Sequence, residues 1–242
     1  GQVFGFLGPN GSGKSTTIRT LLDFQRPTSG TATLLGFDST RDSVEIRRRV
    51  GYLPGDLHLF EAMTGAEHLE LFGRARGGLD ASTIGALVER FAVTLDRPAG
   101  ELSKGNRQKI GILLAFAHEP ELLILDEPTS SLDPLMQLEF SEVIREAARA
   151  GRTVLLSSHS LDDVQRAADR VAIIKDGRLV AADSVDHLRL SAPRSMVLHF
   201  SGPAEPAVFA ALPEVVSVTV HGNDLHLQLN GNVRRVLSEA LA

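Results

Sequence analysis

Residues Gly8 to Thr16 read GPNGSGKST, with Gly8, Gly13, Lys14 and Ser15 at the fixed positions of a phosphate-binding loop. Glycines let backbone amides converge on phosphate oxygens without a side chain in the way. The helix that follows points its positive dipole end at them, and Lys14 adds a full charge. The candidate cradle is therefore Gly8, Pro9, Asn10, Gly11, Ser12, Gly13, Lys14, Ser15 and Thr16, with the Ser15 hydroxyl expected on magnesium. Much later, Leu122 to Glu127 read LLILDE, an apolar strand ending in two carboxylates. Such a strand can deliver Asp126 to the magnesium shell at the carboxyl edge of a sheet, while Glu127 reaches the attacking water as general base. His159 leaves the apolar run Val154 to Leu156 at the same expected edge. A lone histidine carries little weight among eight, but here an imidazole could bond the γ-phosphate or orient the water.

These groups need a scaffold, and the apolar patterning supplies one. Val3 to Leu7 reads as a buried strand running into the loop, followed by a helix with Ile18, Leu21 and Leu22 on one face. A turn at Pro27 to Gly30 precedes a strand through Thr31 to Leu35, then a basic helix and a short strand ending at Pro54. Phe60 to His118 reads as mostly helical. Leu122 to Leu125 and Val154 to Leu156 are continuous apolar runs, as in a parallel sheet covered on both faces.

Between them Asp133 caps a helix with Pro134 at its first position and an apolar stripe of Met136, Phe140, Val143, Ile144 and Ala147. Ser160 with Asp163 predicts a capping box, and Asp176-Gly177 a tight hairpin. Pro193 falls in an expected linker. Beyond it, alternation at Val216, Val218, Val220 and at Leu225, Leu227, Leu229 flanks Gly222-Asn223-Asp224, a hairpin packed on a last helix through Val233, Val236 and Leu237. The expected fold class is α/β, a P-loop core with an inserted helical subdomain and a small α+β C-terminal domain.

Composition narrows the chemistry. The chain has 242 residues, 43% of them hydrophobic, enough for a sizeable core. No stretch approaches the roughly 18 apolar residues that cross a bilayer, so any membrane partner spans it instead. With no leader before Gly1, Gln2 and Val3, a cytoplasmic location is expected. Cysteine is absent, which excludes thiolate metal sites and redox catalysis. A net charge of -5 disfavours nucleic acid, and the cluster Arg47, Arg48, Arg49 reads as a solvated helix face.

Leu102 to Lys109 read LSKGNRQK, in isolation a helix start capped by Ser103. Together with the loop, LLILDE and His159, in that order, it resembles the signature of the ATP-binding cassette family, the ATPases of ABC transporters, over about residues 1 to 190. The resemblance implies ATP and Mg2+ as cofactors and a second ATPase subunit, identical or similar, as partner. It implies that Ser103, Lys104, Gly105 and Asn106 act in trans on the partner's γ-phosphate, and that Asp133 lies in the loop crossing the dimer interface. It further implies a separate transmembrane permease subunit and a place at the cytoplasmic face of the membrane.

Lys104 and Asn106 stand where the family more often has glycine and glutamine, and Gly55 with Asp56 occupies the glutamine-loop position. The adenine-stacking aromatic expected upstream is not in the sequence, which implies that the first strands are missing from it. This variant, with GYLPG and the C-terminal appendage, resembles bacterial drug- and antibiotic-efflux ATPases. The domains expected are residues 1–192, with the helical subdomain at about 57–118, and residues 193–242. Two alternatives stay open: a non-transport ATPase of translation or chromosomes, and a regulatory module that binds nucleotide without turnover.

Overall fold

The computed structural model describes residues 1–191, 194–202, 205–229 and 234–240. They form two compact units, Gly1–Val185 and Asp186–Ala242. The elements of the first are β1 (Gln2–Leu7), α1 (Lys14–Leu21), β2 (Thr33–Leu34), β3 (Phe37–Asp38), α2 (Ser43–Arg49), β4 (Val50–Leu53), α3 (Gly65–Arg76) and α4 (Ala81–Arg90). After a 3-10 turn at Ala99–Glu101 come α5 (Lys104–Phe116), β5 (Leu122–Asp126), α6 (Pro134–Arg149), β6 (Thr153–Ser158), α7 (Leu161–Ala167), β7 (Arg170–Lys175) and β8 (Arg178–Ser184).

The main sheet has the order β4-β5-β6-β1-β7-β8. All neighbours are parallel except the β7–β8 hairpin. Leu123, Ile124 and Leu125 of β5 are completely buried, as are Val154 of β6 and the Ile144 side of α6. A strand buried on both faces cannot alternate, which is why these runs are continuously apolar. On one face α1 and α2 close over the sheet through Ile18, Leu22, Ile46, Val50 and Ile124. Each such side chain contributes roughly 1.5–3 kcal/mol by leaving water. The parallel register brings the ends of β1, β5 and β6 to one edge: Leu7 lies opposite Ser158, and Asp126 opposite Ser157.

Local signals hold at several ends. Asp133 accepts from the amides of Leu135 and Met136, starting α6 at Pro134. Asp176 and Gly177, both at positive φ, turn β7 into β8. Elsewhere the structure departs from the expectations. The strand predicted over Thr31 to Leu35 is only Thr33–Leu34, because Leu35 and Gly36 take positive φ and turn it back into β3. The capping box at Ser160 is half made. Ser160 Oγ accepts from Asp163 N, but the Asp163 carboxylate accepts from Thr129 Oγ1 at 2.9 Å and Ser158 Oγ at 3.3 Å, long-range partners that a local pattern cannot show.

The second unit contains α8 (Val185–Ser191), whose first residue closes the first unit, then β9 (Arg194–His199), α9 (Pro206–Ala210), β10 (Val215–His221), β11 (Asp224–Leu229) and α10 (Arg234–Ala240). Its antiparallel sheet runs β10-β11-β9. The strand β9 was not foreseen. The hairpin turn is the two residues Gly222-Asn223, with Asp224 already paired to His221. Leu225, Leu227 and Leu229 are buried with Val236, whereas Val216 and Val220 are exposed, since β10 is an edge strand with a bulge near its start. Pro193 and Val233 lie outside the described residues.

Candidate functional site

The loop from Gly8 to Thr16 joins β1 to α1, and two hydrogen bonds fix it to the sheet edge. Gly8 N donates to Ser158 O at 3.2 Å, and Gly177 N, from the β7–β8 turn, donates to Ser12 O at 3.0 Å. Gly8 has no room for a side chain: a Cβ would lie 2.4 Å from the carbonyl oxygen of Ile174 and 2.6 Å from Ser12 Oγ. Gly13 takes φ +104° as the residue before α1, a conformation that L side chains rarely adopt. Asn10, Gly11, Gly13, Lys14, Ser15, Thr16 and Glu127 line a concave cavity of about 190 Å³. A loop of amides opening onto a helix N-terminus is an anion cradle.

Lys14 is the charge at its base, with 6% of its surface exposed. Its Nζ donates to Gly8 O at 2.6 Å and to Pro9 O at 3.3 Å, and lies 3.2 Å from Glu127 Oε1. That last contact is an ion pair whose angles fall short of a hydrogen bond. Ser15 follows at the first turn of α1, half-buried. Ser12 is buried, and its hydroxyl has no hydrogen-bond partner among the described residues.

The two acids at the end of β5 differ in surroundings. Asp126 is 2% exposed, and its Oδ1 accepts from Ser157 Oγ at 2.5 Å. Its Oδ2 faces Gly55, where a Cβ would come within 3.3 Å. The next strand over feels this carboxylate: burial first, then the Asp126 charge, raises the Tyr52 hydroxyl above its ordinary pKa. Glu127 takes φ +49°, outside the strand geometry and strained by roughly 1 kcal/mol or more. Its N–H donates to Ser157 Oγ at 3.0 Å and reaches Ser157 O at 3.3 Å. The kink turns its side chain toward the cavity, where Oε1 meets Lys14 and Oε2 accepts from His159 Nδ1 at 2.7 Å. With Nδ1 committed to the carboxylate, the other nitrogen of the half-exposed imidazole stays available.

Thus the phosphate loop, Asp126, Glu127 and His159 stand at one edge of one sheet. Gly55 adjoins Asp126, whereas the other candidates do not join them. Asp56 is exposed and pairs with His58 at 3.1 Å, away from Asp126. Ser103 caps α5 by accepting from Asn106 N at 3.3 Å. Among the described residues, Ser103, Lys104, Gly105 and Asn106 make no hydrogen bond or ion pair to the phosphate loop; Ser103 and Lys104 face solvent. Asp133 is likewise exposed beyond its capping bonds.

Several supporting residues escaped the sequence reading. Ser157 bridges both acids, and the only signal for it was a polar pair closing an apolar strand. The segment after Glu127 is held by two glutamines: Gln108 Nε2 donates to Pro128 O at 3.0 Å, and Gln137 Nε2 to Thr129 O at 3.3 Å and Leu132 O at 3.1 Å.

Residues 1–130 match the ABC transporter family. Rat ATP-binding cassette sub-family A member 7 is 35% identical over 240 residues, covering 95% of this chain but 11% of that protein. The daunorubicin/doxorubicin resistance ATP-binding protein DrrA of Streptomyces peucetius is 38% identical over 196 residues, 79% of this chain and 59% of its own length. Among solved structures, an ATP binding subunit of an ABC transporter superposes with a TM-score of 0.71 at 33% identity, over 78% of this chain and 80% of that one. A dimeric ATP-binding cassette, MJ0796, bound to ADP and Pi, gives 0.69 at 21% identity, over 76% and 85%, a likeness of fold. A phosphate loop, two acids and a histidine at one edge of this sheet, with a family match over more than half of the sequence, place the chain in the ABC transporter family.

Proposed function

We propose that the chain hydrolyses ATP with magnesium in a pair of cassettes and drives a separate membrane-spanning partner, in the export of drugs or antibiotics. The observation that carries the catalytic part is Glu127, held between Lys14 and His159 on the wall of the phosphate cavity. The donor set fits a hard cation: a buried carboxylate, Asp126, with one oxygen already committed to Ser157, and the hydroxyl of Ser15 on the cavity lining. Those two residues would hold Mg2+, whose charge, when bound, offsets that developing on the β- and γ-phosphates.

The chain's own residues do the rest. Backbone amides of Gly11, Gly13 and Lys14 and the Lys14 ammonium grip the phosphate oxygens. As phosphate takes up the Lys14 charge, Glu127 Oε1 becomes free to accept a proton from water in line with the γ-phosphorus. His159 keeps Glu127 oriented through Nδ1. Among the described residues the cavity is lined by the loop and Glu127 alone, which leaves its open side to a donor from elsewhere. The exposed N-terminus of α5, Ser103 to Asn106, supplies such a donor to a second copy, with Asp133 beside the junction. ATP binding then joins the copies and phosphate loss separates them, a cycle that can move a partner.

No helix among the described residues is long and apolar enough to cross a membrane. The permease subunit of this reading is a separate chain or region, with the cassette at the cytoplasmic face. The name of DrrA supports drug efflux as the task. We take residues 1–192 as the ATPase domain, with the helical subdomain at 57–118, and residues 193–242 as an accessory domain that supports pairing. Gentle isolation from membranes tests the transport reading, because a polytopic protein should accompany the chain. A single-turnover assay on that complex should release phosphate; a complex that binds ATP and releases none is a regulatory module instead.

A further inference from the structure

The segment after Glu127 is the meeting point of two surfaces that the proposed mechanism uses separately. On one side stands the catalytic carboxylate; on the other, the helix α5 whose N-terminus faces the second copy. Gln108 lies in the second turn of α5 and is 5% exposed, and its Nε2 donates to the carbonyl oxygen of Pro128, the residue next to Glu127. Gly105, at the start of the same helix, packs so close to the segment that a Cβ there would come 2.8 Å from Ser131 O. From behind, Gln137 of α6 holds the carbonyls of Thr129 and Leu132, and Thr129 Oγ1 donates to Asp163. Residues 128–132 therefore cannot shift without α5.

The geometry points to Gln108 as the positioning residue that couples the two ATP sites of a pair. Ser157 pins the N-terminal side of Glu127, which sits at a strained φ, and Lys14 and His159 hold its carboxylate, so the side left to be set is the backbone that continues into Pro128. Gln108 sets the carbonyl of Pro128. When Ser103 to Asn106 grip the partner's γ-phosphate, a displacement of α5 reaches the segment through the Gly105–Ser131 packing and the Gln108 amide, and of these two the amide bears on Pro128, next to the chain's own Glu127. Occupancy of one site is thus felt at the base of the other, a coupling between distinct sites. This inference rests on the paired reading above.

The test uses the full chain with its membrane partner. Gln108→Met fills nearly the same volume and removes the donor, leaving Pro128 O buried and unpaired. Wild type is expected to hydrolyse ATP sigmoidally with a Hill coefficient approaching ~2, the number of sites. The variant should show a Hill coefficient near 1 and a kcat lower by about five- to tenfold, the value of one buried hydrogen bond. The unpaired carbonyl should lower the Tm of the separate subunit by several degrees, but its ATP affinity should stay close to wild type, and a core variant with the same Tm loss should keep the sigmoidal curve. If Gln108→Met does not fold, Gln108→Asn, which keeps the amide but withdraws it from Pro128, gives the same readout. A hyperbolic wild type, or a variant as sigmoidal as wild type, overturns the coupling. If a Glu127→Gln protein still pairs on ATP, only the coupling has failed; if it stays single, the paired reading has failed with it.

Discussion

Glu127 combines two unfavourable features, a positive φ and a carboxylate drawn in beside a buried ammonium. Both are tolerated because Ser157, Lys14 and His159 together over-determine its position. Glu127→Gln keeps the size and the contact to His159 while removing the basic oxygen. ATP binding by equilibrium titration should be retained, and turnover should fall by about two to four orders of magnitude, the usual worth of a general base. Unchanged phosphate release would remove that role. Ser157→Ala acts on both acids at once, leaving Asp126 Oδ1 buried without its donor. Urea unfolding should show a loss of about 1–3 kcal/mol, and the magnesium concentration for half-maximal turnover should rise.

At the level of elements, the helical insertion is tied to the core where α3, the end of α5 and β4 meet. Arg76 Nη1 reaches His118 Nε2 at 2.6 Å and Val50 O at 3.4 Å, and its guanidinium stacks over Phe72. Burial first, and the Arg76 charge second, lower the His118 pKa from 6.5 to about 4. The neutral ring is therefore the folded form, accepting from Arg76. As pH falls from about 6.5 to about 4, the unfolded chain binds a proton at this ring that the folded chain refuses. Stability contributed here is complete above that window and declines through it. The ring is only part-buried, so solvent screening limits the loss to about 1–2 kcal/mol. Urea midpoints against pH should slope down across the window in wild type and flatten in His118→Gln; equal slopes would assign the effect elsewhere. A second tie, Arg90 of α4 with Glu139 and Glu146 of α6, titrates on its acid side: the Arg90 hydrogen bond holds Glu146 below its ordinary 4.5, so this contribution falls away only toward the acid end of that window and below it.

For the whole molecule, the central expectation is pairing. Glu127→Gln with ATP and magnesium should move from monomer to dimer in sedimentation velocity, since bound nucleotide then persists between copies. Adding Ser103→Arg places a bulky side chain on the α5 N-terminus without touching the chain's own phosphate cavity. That double variant should bind ATP with unchanged affinity yet remain monomeric. Pairing that survives it would move the contact away from Ser103.

What the sequence determined alone was whatever depends on neighbours along the chain. The spacing GPNGSGKST fixes a loop, because glycine conformations and a helix start are local matters. The buried strands, the Asp133 cap and the Asp176-Gly177 turn were legible for the same reason, and the order of motifs carried the family. Tertiary structure decided what depends on register across the sheet. Only the pairing of Asp126 with Ser157 and of Leu7 with Ser158 brings Lys14, Glu127 and His159 within bonding distance. Gln108 and Gln137 carried no signal of their role, because their partners lie in a loop that no helical period describes. Asp56 points to His58 rather than to Asp126, and β9 and the exposed side of β10 follow from strand order. Hydrogen-bond partners twenty or more residues away are chosen by packing, and packing is a property of the folded chain.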